Sequence, residues 1–447
     1  MTEIAAKTQS ELARILAERQ ATGRVPGIVG AVARRGALAW SDGVGAADLD
    51  APGIAPTADS QFLIASQSKT LTAVTIMALR DEGKLSLDDP VEKFIGESTH
   101  HGITVRQMLS HISGMQREPV GDVWDQMKFP DRDQLLAGWN EAERIGKPHH
   151  RWHYSNLVYS ILGEIVARLD NRSWLKSIQA RILDPLEMRR TTLGLSGNAV
   201  TGYYVPPFSD VPVKEPVLNI GAMDACGGLA STAADLAKWA MFLADPVDEV
   251  LSKDTIEEMC QPQIMADVDR WQLGFGLGFM LFRLGERVFV GHTGGMPGHI
   301  TGTFVHRPSG TAGIALLNST SAPDPAGLAT DLIVKVLDED PLQPEPWIPG
   351  TSVPAELVGV LGTWFSEGNP FVFSVKGGKL QAKAPAAPAH KAPAEFVKLS
   401  EDLYQTESGR EVGELLRITR DASGVPVKLH WATYLCTREP LAFGEWL

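Results

Sequence analysis

Pro341, Pro344, Pro346, Pro349 and Pro354 crowd into one short stretch after Asp338. Proline fixes φ and lacks a backbone donor, so neither a helix interior nor a central strand can run through such a segment. The chain must therefore fold as one body before this stretch and another after it. This divides it into a first domain over 1–338, a proline-rich linker over 339–355 and a second domain over 356–447.

The first body mixes both periodicities. Apolar positions Ile4, Leu12, Ile15 and Leu16 predict a helix over 3–22 that stops at Gly23, and Leu71, Val74 and Ala78 predict another from Ser66 to Glu82. Gly27 to Ala33 and Ala37 to Trp40 flank Arg34-Arg35-Gly36 as an edge hairpin. Leu157, Ile161, Leu162, Ile165 and Leu169 keep a helical period, which places Tyr154 on the loop entering that helix. Arg287 to Val290, Ile300 to Val305 and Gly313 to Leu317 read as adjacent strands, with His292 at the end of the first. The expected class is α+β: an antiparallel sheet covered by helices, with an all-helical insert beside it.

Beyond the linker, Phe371 to Val375 and Lys379 to Ala382 surround Gly377-Gly378, and Leu415 to Thr419 and Val427 to Trp431 surround Ser423-Gly424. Two hairpins in so short a segment predict a small, lipocalin-like β-barrel. Ala384 to His390, rich in alanine and proline, reads as a surface loop.

Composition excludes several functions. The 41 basic residues against 54 acidic ones give a net charge of −13, which would repel a phosphate backbone, so no nucleic-acid partner is expected. No run approaches the ~18 apolar residues of a membrane span, and Met1 to Lys7 lead into a charged segment rather than an apolar signal core, so a cytoplasmic location without membrane attachment is expected. Cys226, Cys260 and Cys436 are odd in number and without a CxxC, which supports neither a disulfide framework nor zinc. His149, His150 and His153 resemble a metal cluster, but adjacent histidines point apart and no carboxylate stands at ligand spacing. No metal or cofactor is expected.

The chemistry lies in Ser66-Gln67-Ser68-Lys69, where an amine sits one helical turn from a hydroxyl and can serve as its base. Ser173-Trp174-Leu175-Lys176 has the same spacing, so company must decide. Ser66 is followed by Tyr154-Ser155-Asn156 and then by Gly291-His292-Thr293-Gly294-Gly295. Ser173 has no tyrosine triplet after it and reads as an ordinary helix residue.

SxxK with a second polar triplet and a basic-Thr-Gly triplet is the pattern of serine β-lactamases and penicillin-binding proteins. Over roughly residues 10 to 335 the chain resembles the serine β-lactamase-like hydrolases of the class C and D,D-peptidase branch. Ile103 to His111 with Ser113-Gly114, and Gly227 to Thr232, look like further family segments. The resemblance implies an acyl-enzyme on Ser66, with Lys69 and Tyr154 as a joint acid/base system. It also implies an oxyanion hole from the N–H groups of Ser66 and Gly295, and a substrate-binding wall of Asn156, Thr293 and Gly294. Asn156 matches a position that meets the substrate amide and orients the lysine; taken alone it would read as a helix N-cap.

His292 departs from the family's usual lysine. Histidine is mostly neutral at neutral pH and grips a substrate carboxylate poorly, so the expectation moves from β-lactam antibiotics toward small esters, amides or D-amino-acid peptides. Transfer of the acyl group to an amine or alcohol uses the same residues and is the alternative. A non-catalytic binding protein is a third reading, opposed by the intact Ser66, Lys69, Tyr154 and His292.

Overall fold

The computed structural model describes residues 4–343, 346–350, 352–388, 391–442 and 445. The chain forms two compact units, Met1–Leu342 and Gln343–Leu447. Pro344 of the expected linker and Ala389 and His390 of the expected loop lie outside the described residues.

The first unit is built on an antiparallel sheet of eight strands: β1 (Gly27–Arg34), β2 (Ala37–Gly45), β3 (Ile264–Met265), β4 (Leu273–Phe275), β5 (Met280–Leu284), β6 (Arg287–Met296), β7 (His299–His306) and β8 (Thr311–Leu317), in the order β2-β1-β8-β7-β6-β5-β4-β3. The expected hairpin forms β1 and β2, with β2 at the edge. Arg35 and Gly36 take positive φ at its turn, which a two-residue hairpin loop requires. Every residue of β1 and β8 is buried, so these strands read as apolar runs rather than alternations.

Helices cover both faces. On one, α1 (Ala6–Thr22) and the C-terminal helix Pro325–Glu339 enclose a core with Leu12, Leu16, Ile28, Phe304, Leu332 and Ile333. On the other, the sheet supplies Val29, Ala31, Ile314 and Leu316 to the core built around α2 (Ser68–Asp81) and α3 (Asn156–Asp170). α2 is buried along nearly its whole length, with Ser68, Lys69, Thr70, Thr72 and Thr75 buried alongside its apolar residues, each polar group finding a hydrogen-bond partner.

Two boundaries differ from the sequence reading. Ser66 does not begin the helix; it sits in a 3₁₀ turn, Ala65–Gln67, that feeds α2. His292 is not at a strand end, because β6 continues to Met296. The glycines around it look like terminators in sequence. A Cβ at Gly291 would stand 1.9 Å from the Thr303 carbonyl oxygen, and one at Gly294 would stand 2.0 Å from that of Ile64. They mark close backbone approaches inside a strand.

The second unit is a meander of eight antiparallel strands, β9 (Gly362–Ser366), β10 (Asn369–Lys376), β11 (Lys379–Lys383), β12 (Ala394–Ser400), β13 (Leu403–Thr406), β14 (Leu415–Arg420), β15 (Pro426–Trp431) and β16 (Tyr434–Cys436), paired in sequence order. Phe365 and Thr437 exchange backbone hydrogen bonds of 2.8 and 2.9 Å, which brings the first strand to the last and closes a barrel. Trp364, Phe373, Phe396, Leu416 and Trp431 fill its interior, as expected at eight strands.

Candidate active site

The SxxK turn is fastened at each residue. Ala65 holds φ of 47°, a left-handed conformation that costs a non-glycine residue about 1–3 kcal/mol and fixes how Ser66 leaves the preceding strand. The Gln67 side chain donates to Thr301 Oγ1 at 2.8 Å, and Ser68 Oγ accepts from Leu229 N–H at 3.1 Å. Lys69 is wholly buried. Its Nζ lies 2.9 Å from Ser66 Oγ and donates to the Cys226 carbonyl oxygen at 2.6 Å.

Tyr154 stands on the loop that enters α3. Its triplet is pinned by the preceding loop: Ser155 N–H donates to His111 Nδ1 at 3.1 Å, Ser155 Oγ donates to the Gln116 carbonyl at 2.7 Å, and Asn156 N–H donates to the Arg117 carbonyl at 2.7 Å. The Tyr154 ring stacks on His111 at 4.2 Å and lies 5.0 Å from Lys69 Nζ. His111, at a positive φ of 58°, is buried and driven well below its ordinary pKa by desolvation, then by Lys69 and His292. It serves as a neutral platform under the tyrosine.

Ser155, not Asn156, caps α3, accepting from Val158 N–H. Freed from capping, Asn156 donates through Nδ2 to Glu118 Oε1 at 2.6 Å, while its Oδ1 meets no donor. Beyond Ser66 Oγ, Lys69 Nζ is held by the Cys226 carbonyl oxygen, while the Asn156 amide is engaged by Glu118.

His292 is buried, and desolvation, then the neighbouring Lys69, hold its pKa down at about 3. Nδ1 is 2.5 Å from the Thr293 carbonyl oxygen, so it carries the proton, leaving Nε2 as a buried acceptor without a donor. β5 pairs with β6 only as far as Gly291, so residues 292–296 present an edge uncovered by a strand, and Gly294 on that edge crosses the Ile64 carbonyl beside the nucleophile turn.

Ser66, Tyr154, Asn156, His292, Thr293, Gly294 and Gly295 line one cleft of about 690 Å³, with Lys69 buried beneath Ser66. Arg117, Glu118, Trp124, Trp152, Leu273, Phe275 and Met280 complete it. Sequence reasoning did not place Arg117 or Glu118 there; their signal is a charged pair three and four residues beyond Gly114. The Cys226 carbonyl carries no side-chain signal at all. A second cavity, of about 560 Å³, opens beside Leu135, Glu164, Trp174 and Asp224 and holds no motif residue except Ser173, the helix N-cap. Among the described residues no three metal-binding side chains converge.

Ser66 thus lies within hydrogen-bond reach of a buried amine, in one cleft with a tyrosine and a strand edge that no neighbouring strand covers. The family model for Beta-lactamase matches residues 12–338, and the chain belongs to that family. A domain of unknown function, DUF7586, matches residues 353–438. The chain is 27% identical over 270 residues to Beta-lactamase-like protein 2 of Dictyostelium discoideum, covering 57% of this chain and 49% of that protein. It thus spans about half the length of the curated relatives it matches. Among solved structures it is similar to the octameric penicillin-binding protein homologue from Pyrococcus abyssi (TM-score 0.66, 24% identity, 96% of this chain and 99% of that one). It is also similar to the D-stereospecific amidohydrolase from Streptomyces sp. (TM-score 0.62, 25% identity, 74% and 97%).

Proposed function

We propose that the cleft hydrolyses a small amide or ester through an acyl-enzyme on Ser66. The observation that carries this is the 2.9 Å contact between Ser66 Oγ and the Nζ of a fully buried Lys69. Ser66 Oγ attacks the acyl carbon and forms the new C–O bond; its proton passes to the Lys69 and Tyr154 pair, which returns one to the departing amine or alcohol as its bond breaks. Water repeats the sequence and releases the acid. The N–H groups of Ser66 and Gly295 receive the developing oxyanion, a contribution of about 2.7–4 kcal/mol per donor in comparable sites.

His292 supports a choice of substrate. A neutral imidazole with an acceptor turned inward offers no cation to a carboxylate, which favours amides and esters lacking that carboxylate over β-lactam antibiotics. An amide hydrolysis agrees with the amidohydrolase likeness. Release of p-nitrophenol from p-nitrophenyl butyrate, with and without an added alcohol or amine acceptor, tests the reading: a burst close to one equivalent or a partition of product toward the acceptor is expected, and turnover that shows neither and survives in Ser66→Ala would overturn the acyl-enzyme.

A further inference from the structure

The second cavity, of about 560 Å³, is lined by none of the residues assigned to the chemistry. Leu135, Trp174, Leu175, Leu193 and Ala225 give it an apolar wall. Its arginines are already engaged. Arg132 grips Glu164 in a fork of 2.9 and 2.5 Å, Arg168 reaches Glu164 at 2.7 Å and Glu97 at 2.6 Å, and Arg172 meets Asp170 at 3.0 Å. Asp224 is the exception among these charged groups. It is half-buried, its carboxylate accepts no hydrogen bond from a described residue, and both oxygens keep access to solvent. Burial alone raises its pKa to about 6, with no neighbouring cation opposing the shift. Gly228 leaves room for the carboxylate, since a Cβ there would stand 2.6 Å from Asp224 Oδ1.

The turn that lines this cavity also serves the catalytic cleft. The Ala225 carbonyl accepts from Thr72 Oγ1 at 2.8 Å, the Cys226 carbonyl accepts from Lys69 Nζ at 2.6 Å, and Trp174 Nε1 donates to the same Thr72 Oγ1 at 3.0 Å. We propose that the cavity is a second binding site, separate from the catalytic cleft, for a small organic ammonium, with the cation on Asp224 and an apolar body against Trp174 and Leu135. An ammonium supplies the donors and the charge that Asp224 lacks, and a charge-assisted bond is about twice as strong as a neutral one. An anion would instead have to compete with Glu164, Glu97 and Asp170 for the arginines. The occupant touches the segment that holds Lys69, yet its binding is measurable without turnover and does not depend on the reading of Ser66.

Calorimetry on the full-length wild-type protein with benzylamine, benzyl alcohol and benzoate makes that measurement. Benzylamine is expected to bind about 10-fold more tightly than benzyl alcohol. Asp224→Asn is expected to erase the difference, whereas Glu118→Gln, which changes the one carboxylate among the described residues of the catalytic cleft, is expected to preserve it. Because Asp224→Asn removes an unpaired, partly desolvated charge, its melting temperature should hold or rise, which separates lost binding from lost folding. Ala167→Trp, which sets a bulky ring on the cavity wall, is expected to exclude benzylamine. Equal binding of amine and alcohol, no measurable binding of the amine, or tighter binding of benzoate overturns the site. A preference that Glu118→Gln erases and Asp224→Asn does not, or binding undiminished in Ala167→Trp, overturns it as well and places the amine elsewhere.

Discussion

Lys69 is placed where a purely structural lysine is not expected. It is completely buried, and its two polar partners, Ser66 Oγ and the Cys226 carbonyl, are both uncharged, whereas lysines are almost never fully buried without an opposite charge. Lys69→Met, apolar and of similar length, is accordingly expected to hold or raise the melting temperature while lowering turnover by about 10²–10⁴-fold. Equal loss of stability and activity would make Lys69 a packing residue. Ser173 gives the contrast. Its Oγ caps a helix by accepting from Lys176 N–H, so Ser173→Ala should cost about 1 kcal/mol of stability and retain the burst that Ser66→Ala removes. For His292, a pKa near 3 means that the imidazole stays neutral from pH 5 upward. An acid limb in kcat/KM between pH 5 and 8 should therefore keep its midpoint in His292→Gln, and a shifted midpoint would assign the titration to this histidine.

At the scale of elements, the site depends on how closely β6 passes the nucleophile turn. Gly294→Ala places a methyl group 2.0 Å from the Ile64 carbonyl oxygen, and backbone cannot yield as a side chain can. A loss of about 1–3 kcal/mol is expected from overpacking, together with a fall in kcat, because the movement opens the edge between Ser66 and Gly295. Gly295→Ala meets only the Ile300 methyl at 3.3 Å and should be milder in chemical denaturation; the reverse ranking would contradict the close-approach account. The same strand shows what sequence could convey. The helices carrying Ser66's neighbours and following Tyr154 were legible because their apolar spacing repeats over three or more turns. Strands β3 to β5 were not, since two to five residues carry too little periodicity. Glycines that sit inside β6 looked like its end, because a close approach to Thr303 and Ile64 exists only once distant segments meet. The motif residues were readable from their types, but the Cys226 carbonyl is defined by position alone.

At the scale of the whole molecule, burial of neutral imidazoles sets the response to acid. His292 and His299 are held at about 3 and 4, and His111 well below its ordinary value, all chiefly by desolvation. Each binds a proton more readily when unfolded, where the value is about 6.5, so their contribution to stability is present above pH ~6.5 and is lost as pH falls through the window below it. Asp224 acts in the opposite sense: desolvation raises it to about 6, so the folded state binds its proton more tightly and its effect favours folding at low pH, fading as pH rises from ~4 to 6. Three histidines outweigh one aspartate, and the melting temperature is expected to fall between pH 7 and 5; a rise would contradict the burial described. Both units have their own cores, yet every residue of the proposed chemistry lies in the first. The most direct test of that chemistry is intact-mass analysis of wild-type protein quenched during turnover of p-nitrophenyl butyrate, followed by peptide mapping. A single butyryl adduct on the peptide bearing Ser66, absent from Ser66→Ala, is the predicted result; turnover with no adduct, or with the adduct on another residue such as Ser173, would contradict the account.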